Sequence, residues 1–286
     1  MPAYRSREHR VPRTWCTMII LLVVSVVLWG ALHVLLRSQP LEGTVMISHR
    51  GMAGSAPENT LIAIDAAIRH GAQFVEIDVR RSADGVIVLM HDQAVDRTTN
   101  GQGKVGDLAW TEISTLDAGS HFAPAFAGEP VPTLDDVLTL LQTSSITLVL
   151  EVKQPERYPG MALQVAEKLQ GSNLGTRVVV VSFDHDWLDD FGNLMPNVPV
   201  GYLQVGPCIR RQMPGDSLVD VHWMSVLVDP TLIWRMHRRG HRVWAWTVDD
   251  VRLARLLTWS GIDGITTDHP DMCQDGQRVG DAGPVQ

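Results

Sequence analysis

From residue 45 onward, short apolar runs alternate with longer segments in which apolar residues recur at helical spacing. The runs are rich in Val and Ile without strict alternation, which is typical of parallel strands buried on both faces. They predict eight parallel strands, at 45–50, 74–79, 147–153, 178–183, 199–204, 222–228, 243–248 and 263–268. Helices are predicted at 60–71, 134–143, 161–171, 229–240 and 250–261. This alternation of strands and helices indicates repeated βα units.

A further apolar run at 86–92 starts only a few residues after the strand at 74–79. Because a parallel crossover needs a dozen or more residues, this run is predicted to fold back as an antiparallel hairpin, with its turn at Asp84 and Gly85. The α/β pattern therefore predicts a (β/α)8 TIM barrel with a β-hairpin inserted after strand 2. An open doubly wound sheet is the alternative, although no glycine-rich dinucleotide-binding motif follows an early strand.

The first part of the chain has a different pattern, a basic segment followed by an apolar one. Residues 17–36 contain no Asp, Glu, Lys or Arg, and at ~1.5 Å per residue a helix of this length crosses the ~30 Å hydrocarbon layer of a bilayer. The run predicts one N-terminal transmembrane helix that anchors the protein to a membrane. The alternatives are a cleaved signal peptide, which normally has a shorter apolar run, and a buried helix of a soluble protein.

Charge predicts the orientation of that helix. Four arginines and one glutamate give residues 1–16 a charge of +3, so the rest of the chain carries −11. Because basic flanking segments stay in the cytoplasm, we expect a cytoplasmic N-terminus and a main domain that is extracytoplasmic, in the periplasm or on the outer face. The acidic body argues against a nucleic-acid partner, and the sequence leaves protein partners unknown.

These patterns divide the chain into five parts. They are the basic N-terminus (1–16), the anchor (17–36), a linker (37–44), the barrel (45–272) and a polar tail (273–286) that is predicted to be disordered. The cysteines Cys16, Cys208 and Cys273 include no C-x-x-C pair, which argues against a structural zinc site. The sequence leaves open whether Cys208 and Cys273 form a disulfide.

Charged and imidazole side chains lie at the ends of the predicted strands, although buried strands are normally apolar. TIM barrels collect their chemistry at the carboxyl ends of the strands. These ends carry His49, Arg50, Glu76, Asp78, Glu151, Lys153 and Trp246, and the hairpin brings His91 and Asp92 to the same mouth. Residues two apart on a strand point to the same side. The carboxylates of Glu76, Asp78 and Glu151 are therefore predicted to converge.

Three converging carboxylates repel one another unless a cation lies between them. Oxygen ligands favour one divalent cation, Ca²⁺ or Mg²⁺, over zinc. A purely structural ion-pair network with Arg50 and Lys153 is the alternative. His49 and His91 suit proton transfer near neutral pH, while Arg50 and Lys153 suit an anionic group such as a phosphate.

At these residues the chain resembles the glycerophosphodiester phosphodiesterase family. The resemblance lies in the ordered motifs HRG (49–51), PENT (57–60), EIDV (76–79), DGVIVLMHD (84–92), DRTTNGQG (96–103), PTLDDVL (132–138), LEVK (150–153) and WTVDD (246–250). It covers about residues 45–272, which is the whole predicted barrel. Each motif alone is weakly specific, but the ordered set at compatible spacing is highly specific.

The resemblance implies a metal-dependent hydrolysis of glycerophosphodiesters to sn-glycerol 3-phosphate and an alcohol. It implies three metal ligands (Glu76, Asp78, Glu151), an acid–base pair (His49, His91), two phosphate-binding residues (Arg50, Lys153) and two supporting residues (Glu58, Asn59). Trp246 would line the glycerol pocket unless it is barrel packing, as Trp244 on the same strand face could be. Asp92 is expected to hold the hairpin and not to contact substrate.

Several functions remain open at this point. The same machinery could act as a lysophospholipase D on membrane lysolipids, a substrate that a membrane anchor would favour. A phosphatidylinositol-type phospholipase C also uses a barrel with paired histidines. A function of another class is a non-catalytic barrel that serves as a binding module.

Overall fold

The computed structural model describes Leu41, residues 43–206, 213–215 and 217–273, and apart from these only Ser25. The predicted basic N-terminus, the rest of the predicted anchor at 17–36, the tail beyond residue 273 and Cys208 lie outside the described residues. Within the described part of the chain, no helix is long and apolar enough to cross a membrane.

The described residues form nine strands, eight of which close into a parallel barrel. The strands are β1 (Val45–Ser48), β2 (Phe74–Arg81), β3 (Ile87–Leu89), β4 (Thr147–Val152), β5 (Val178–Ser182), β6 (Val200–Gln204), β7 (Leu218–His222), β8 (Arg242–Trp246) and β9 (Gly264–Thr267). The barrel order is β1-β2-β4-β5-β6-β7-β8-β9, and β9 pairs with β1 to complete the closure. The closed barrel is consistent with the predicted TIM architecture and excludes the open doubly wound sheet.

The predicted hairpin is present. Strand β3 runs antiparallel to β2, with Val79 opposite Leu89 and Arg81 opposite Ile87. Gly85 adopts φ +94 at the turn, a conformation that glycine reaches without strain. Beyond β3 the pairing continues, because the Met90 N–H donates to the Asp78 carbonyl at 3.0 Å. The hairpin therefore carries the residues after Met90 to the carboxyl end of the barrel.

The helices lie between the strands, as expected for βα units. They are α1 (Leu61–Arg69), α2 (Trp110–Ile113), α3 (Leu134–Leu141), α4 (Met161–Gly171), α5 (His185–Leu194), α6 (Trp223–Val228), α7 (Leu232–His237) and α8 (Val251–Trp259). Polar side chains cap several helix starts, because the first N–H groups of a helix lack intrahelical partners. Thr60, Thr133, Asp184 and Asp250 each accept such an N–H.

The prediction was wrong for the strand at 222–228. The strand is Leu218–His222, and residues 223–228 form helix α6, so the predicted helix at 229–240 shortens to α7. The residues of 223–228 are mostly apolar, and periodicity does not separate a strand from a helix in so short an apolar run. Within α6, Val226 is buried while Val228 is 68% exposed. On a strand these two side chains would point to the same side, so their different exposure is typical of a surface helix.

Apolar side chains fill two layers and one outlying cluster. Inside the barrel lie Ile47, Val149, Val179, Val181, Leu203, Leu218 and Trp244. A larger layer packs between the strands and the surrounding helices. The outlying cluster packs under the segment that follows β3 and consists of Val88, Met90, Val95, Val105, Ile113, Ala118 and Val131. The apolar barrel interior leaves the polar strand ends at the mouth as the place where chemistry can occur.

Candidate active site

Three buried carboxylates meet at the mouth of the barrel. Glu76 and Asp78 come from β2 and Glu151 comes from β4, and the parallel register places Asp78 opposite Glu151. One oxygen from each residue lies within 4.8 Å of the others. The structure thus brings together the three acids that the sequence predicted to converge.

Their pKa values reflect this crowding. Burial, together with the charges of Asp78 and Glu151, raises the pKa of Glu76 well above its usual range. Burial and Asp78 raise the pKa of Glu151 to about 7, although Lys153 opposes that shift. Burial acts in the same direction on Asp78, but Lys153 and Arg50 outweigh it and hold the pKa of Asp78 below its ordinary value. Without a cation the cluster is therefore not fully ionised at neutral pH.

The donor set fits a hard divalent cation. The buried Oε1 of Glu76 has no hydrogen-bond partner among the residues that the structure describes, and a buried polar atom without a partner is costly. All three side chains offer carboxylate oxygens, which Ca²⁺ and Mg²⁺ prefer. Glu76, Asp78 and Glu151 are the residues that could hold such an ion.

Two basic side chains border the cluster. The Nζ of Lys153 lies 2.5 Å from Glu151 Oε1 and 3.0 Å from Asp78 Oδ1. The Nε of Arg50 lies 3.2 Å from Asp78 Oδ2. These are the ion pairs of the structural alternative, yet they leave Glu76 Oε1 without a partner within the described residues. An ion-pair network alone does not account for the cluster.

The loop after β1 holds the cluster from one side. Its Arg50 and Asn59 adopt positive φ angles of 50° and 57°. The Asn59 amide donates to Asp78 Oδ2 at 2.8 Å and its oxygen accepts the Asp78 N–H at 3.0 Å. The backbone N–H of Arg50 donates to Glu76 Oε2 at 2.9 Å, and its side chain donates to Glu58 Oε1 at 2.8 Å. Glu58 and Asn59 are therefore placed to orient charged residues of the cluster.

Each histidine is paired with a carboxylate through Nδ1. His49 Nδ1 lies 2.6 Å from Asp268 Oδ1, and His91 Nδ1 lies 2.7 Å from Asp92 Oδ1. Hydrogen bonds from Arg97 and from His91 lower the pKa of Asp92 against the effect of burial. Burial acts against ionisation of Asp268, but the His49 hydrogen bond and nearby positive charge outweigh it and lower the pKa of Asp268. An ionised carboxylate can only accept a hydrogen bond. Nδ1 therefore carries the proton, and Nε2 is the nitrogen left for chemistry.

Both histidines line one cavity of about 240 Å³ together with the acids Glu76 and Glu151. The His49 Nε2 is 4.0 Å from Glu76 Oε2. Burial, together with the charges of Lys153 and Arg50, lowers the pKa of His91, while Asp78 opposes that shift. A neutral imidazole at this position is able to accept a proton at neutral pH.

The His91 loop is held by two arginines. Arg80 donates two N–H groups to the His91 carbonyl, at 3.0 Å and 2.7 Å. Arg97 bridges Asp92 and Glu58, with its shortest contacts at 2.6 Å and 2.7 Å. Asp92 thus contacts His91 and Arg97, and the His91 contact fixes the orientation of the imidazole ring. The structure makes Arg97 the link between that loop and the loop after β1.

The opposite wall of the cavity comes from β7 and β8. Trp246 lines the cavity and packs edge-to-face on Phe183, with ring centroids 5.7 Å apart. Its Nε1 donates to the Asp220 carbonyl at 3.3 Å. Trp244 is 3% exposed and belongs to the barrel interior. Of the two tryptophans, Trp246 is therefore the one in the cavity.

Sequence reasoning missed three residues of this site. Asp268, which orients His49, ends the predicted strand at 263–268, so its place at a strand end was a usable signal. Arg97 lies in the DRTTNGQG motif, where only the structure shows its partners. Asp220 lines the cavity, but it was not identified because the predicted strand begins at residue 222, four residues after the actual start at Leu218.

Comparison with known proteins gives one consistent result. The sequence profile of the glycerophosphoryl diester phosphodiesterase family matches residues 49–272. A glycerophosphodiester phosphodiesterase of Caldanaerobacter subterraneus subsp. tengcongensis is 36% identical over 234 residues, which are 80% of this chain and 95% of that protein.

Solved structures agree with the sequence comparison. The crystal structure of a glycerophosphodiester phosphodiesterase from Agrobacterium tumefaciens has a TM-score of 0.69 at 31% identity and covers 80% of this chain and 98% of its own. An Oleispira antarctica phosphodiesterase, solved in complex with the product sn-glycerol-3-phosphate, has a TM-score of 0.73 at 28% identity. The match covers 80% of this chain and 95% of that one. With this fold and this arrangement of acids and histidines, the chain belongs to the glycerophosphoryl diester phosphodiesterase family and is a phosphoric diester hydrolase.

Proposed function

We propose that the protein hydrolyses glycerophosphodiesters to sn-glycerol 3-phosphate and an alcohol, and that the reaction requires one divalent cation, Ca²⁺ or Mg²⁺. The observation that carries this proposal is the buried trio of Glu76, Asp78 and Glu151 in one cavity with two histidines. The product bound to the Oleispira antarctica relative supports the choice of substrate.

The substrate phosphate would lie between the acids and the two basic side chains. Arg50 and Lys153 line the cavity and would bind phosphate oxygens through charge-assisted hydrogen bonds. When bound by Glu76, Asp78 and Glu151, the cation would supply Lewis acidity and a template for the phosphate and the glycerol hydroxyls. The basic residues would keep the diester in position for attack on phosphorus.

The two histidines would move the protons. One Nε2 takes the proton of the attacking hydroxyl, which the family resemblance assigns to the neighbouring glycerol oxygen, and the new P–O bond displaces the alcohol. The other Nε2 protonates the leaving oxygen. Water then opens the cyclic phosphate with the two roles reversed. Each proton transfer can contribute about 10²–10⁴ in rate, and the Asp268 and Asp92 contacts keep Nε2 available.

A second cavity offers room for the leaving alcohol. It has a volume of about 510 Å³, adjoins the first through Glu151, Lys153 and Phe183, and is also lined by Glu156 and Asp186. A larger compartment on this side fits a variable alcohol, whereas the smaller compartment fits the constant glycerol phosphate.

A lysophospholipase D reaction is the second candidate. Apolar side chains are exposed just beyond the carboxyl ends of β5, β6 and β7, where Phe183 is 47%, Val205 71% and Met224 51% exposed. An acyl chain that leaves the larger cavity could contact them. The predicted anchor at 17–36 would favour this substrate by holding the enzyme at a membrane, with the barrel on the extracytoplasmic side.

Product analysis tests these alternatives. Purified protein is incubated with glycerophosphocholine or with lysophosphatidylcholine, in chelator and after addition of Mg²⁺ or Ca²⁺. We expect cation-dependent release of sn-glycerol 3-phosphate from glycerophosphocholine. Preferential formation of lysophosphatidic acid would assign the lysolipid function, and an unchanged rate in chelator would refute the cation requirement.

A further inference from the structure

Asp220 is a carboxylate of the active-site cavity that the mechanism above does not use. It lies near the end of β7, opposite Trp244 of β8. Its neighbour two residues back, Leu218, packs in the barrel interior, while Val219 and Val221 pack on the outer layer. Because strand side chains alternate, Asp220 faces the barrel interior, where it lines the cavity of about 240 Å³.

The Asp220 side chain has no partner within the described residues. It is 4% exposed, its Oδ1 accepts no hydrogen bond, and no ion pair reaches it. The contact from Trp246 goes to the backbone carbonyl of Asp220, so it fixes the strand and not the carboxylate. A buried and unpaired carboxylate is costly when ionised. Burial, with the charge of Glu151, accordingly raises the pKa of Asp220 well above its usual range.

Asp220 does not belong to the candidate cation site. The group of described residues whose ligand atoms lie within 4.8 Å of one another consists of Glu76, Asp78 and Glu151. Asp220 comes from β7, and the barrel order separates β7 from β4 by β5 and β6. A ligand that reaches from the phosphate site toward β7 would meet Asp220.

The position of this unpartnered carboxyl in the cavity identifies its partner. A carboxyl group accepts hydrogen bonds and donates one when it holds a proton, so it complements a hydroxyl, which can both donate and accept. Among the described residues, Asp220 lines the smaller cavity and not the one of about 510 Å³ that adjoins it. The proposed function places the glycerol phosphate in the smaller cavity, and its hydroxyls are the groups that can reach Asp220.

We propose that Asp220 is a specificity-determining residue that hydrogen-bonds a hydroxyl of the glycerol moiety. This inference rests on the proposed function, because it assumes a glycerophosphodiester in the smaller cavity. It explains why a costly unpaired carboxyl is kept in a binding site, since binding residues commonly reduce stability.

Two variants and two ligands test it. Asp220→Asn keeps a neutral donor and acceptor of the same shape, whereas Asp220→Ala removes both. The ligands are sn-glycerol 3-phosphate and ethyl phosphate, which lacks the hydroxyls, and each is titrated by calorimetry into protein loaded with the cation that supports hydrolysis. We expect Asp220→Ala to weaken sn-glycerol 3-phosphate binding by about tenfold and ethyl phosphate binding by less than about twofold. Asp220→Asn should keep both affinities within about threefold.

The other outcomes would overturn the inference. Equal loss for both ligands would place the effect at the phosphate, and equal loss in Asp220→Asn and Asp220→Ala would require an ionised carboxylate. Unchanged sn-glycerol 3-phosphate binding in Asp220→Ala would leave Asp220 without the proposed role. A fall in the thermal midpoint of Asp220→Ala would reveal a structural residue, since removal of an unpaired carboxyl should leave or raise stability. A wild-type protein that fails to release sn-glycerol 3-phosphate would refute the proposed function itself.

Discussion

At the scale of single residues, the site is built from pairs in which one side chain orients another. His49 is held by Asp268, and His91 by Asp92. In both pairs the carboxylate accepts a hydrogen bond from Nδ1–H. The other ring nitrogen, Nε2, is not used in that contact, which is the arrangement that a general base or acid needs. The shared design is the reason we assign proton transfer to both histidines.

Replacement of either histidine should stop turnover without removing the cation. We expect His49→Ala or His91→Ala to lower kcat by at least about 10², with divalent-cation affinity within about threefold of wild type when measured by calorimetry. His70→Ala is the matched control, because His70 is exposed just after α1 and its imidazole ring contacts only the Ala66 carbonyl among the bonds described. Near-normal activity in either active-site variant would discard the acid–base assignment.

Single residues were predictable where they lie at strand ends within motifs. His49, Glu76, Asp78 and Glu151 come together as the period of the strands requires. Partner residues were harder to predict, because Arg97 reaches its partners through an irregular loop whose path no local pattern specifies. Tertiary contacts between loops therefore set the limit of sequence reasoning at this scale.

At the scale of elements, the pairing of β2 with β4 creates the acidic cluster. The register sets Asp78 beside Glu151 and Glu76 beside Val149, so the carboxylates are brought together by backbone hydrogen bonds. Folding of the barrel supplies the free energy that holds like charges close to one another. The cation-free protein should therefore be sensitive to the ionisation of this cluster.

The cation-free protein should lose stability as pH rises through the ionisation of Glu151. The pKa of this group is raised to about 7 in the folded state from its ordinary value of 4.5. Between these values the folded state holds a proton that the unfolded state has lost, so stability falls with rising pH. In chelator, a rise in pH from 5 to 8 should lower the thermal midpoint of wild type by a few degrees more than that of Glu151→Gln.

Addition of the cation provides the control for that pH profile. Cation binding requires ionised carboxylates, so Mg²⁺ or Ca²⁺ should raise the wild-type midpoint more at pH 8 than at pH 5. The Glu151→Gln variant should show a smaller rise. If the difference in thermal midpoint between wild type and Glu151→Gln does not change with pH, Glu151 does not titrate in this range.

The turn after β1 depends on Gly51. It adopts φ +89, and a Cβ there would lie 2.6 Å from the Ala63 Cβ and 2.7 Å from the Ala63 carbonyl carbon of α1. Gly51→Ala should cost about 2–5 kcal/mol in unfolding free energy, from left-handed strain and overpacking together, and it should lower activity because His49 and Arg50 move.

Gly71→Ala is the matched control in denaturant unfolding. Gly71 has φ +73 but nothing within 4 Å of an added Cβ, so only strain applies and the cost should be about 1–2 kcal/mol. Equal losses in the two variants would contradict the packing argument.

Elements were predictable where the length of the connection between two strands and the residues of its turn indicated the same structure. The hairpin followed from a connection too short for a crossover and from Asp84-Gly85. The strand at Leu218–His222 was missed because Asp220 interrupts its apolar pattern, while the apolar residues after it belong to helix α6. The error hid a functional residue, because the polar group that obscured the strand is the one that faces the cavity.

At the scale of the whole molecule, the sequence predicts a barrel attached to a membrane by residues 17–36. We expect the full-length chain to remain with membranes after an alkaline wash, and the barrel to be digested by protease added from the extracytoplasmic side. A double substitution, Leu22→Arg with Val26→Arg, should release it, since each charge costs about 2.5–3.5 kcal/mol at the centre of a membrane helix. A wild-type chain that washes off would contradict the anchor, and a mature protein that lacks this segment by mass would indicate a cleaved signal.

We expect Glu76, Asp78 and Glu151 to hold one divalent cation between His49 and His91. Diffraction from crystals grown with Mn²⁺ in place of Mg²⁺ or Ca²⁺, recorded for its anomalous signal, tests this directly. We expect one strong anomalous peak bounded by the three carboxylates, and no such peak in crystals of the double variant Glu76→Gln with Glu151→Gln. A wild-type map without a peak at these carboxylates, or with its strong peak elsewhere, would contradict it.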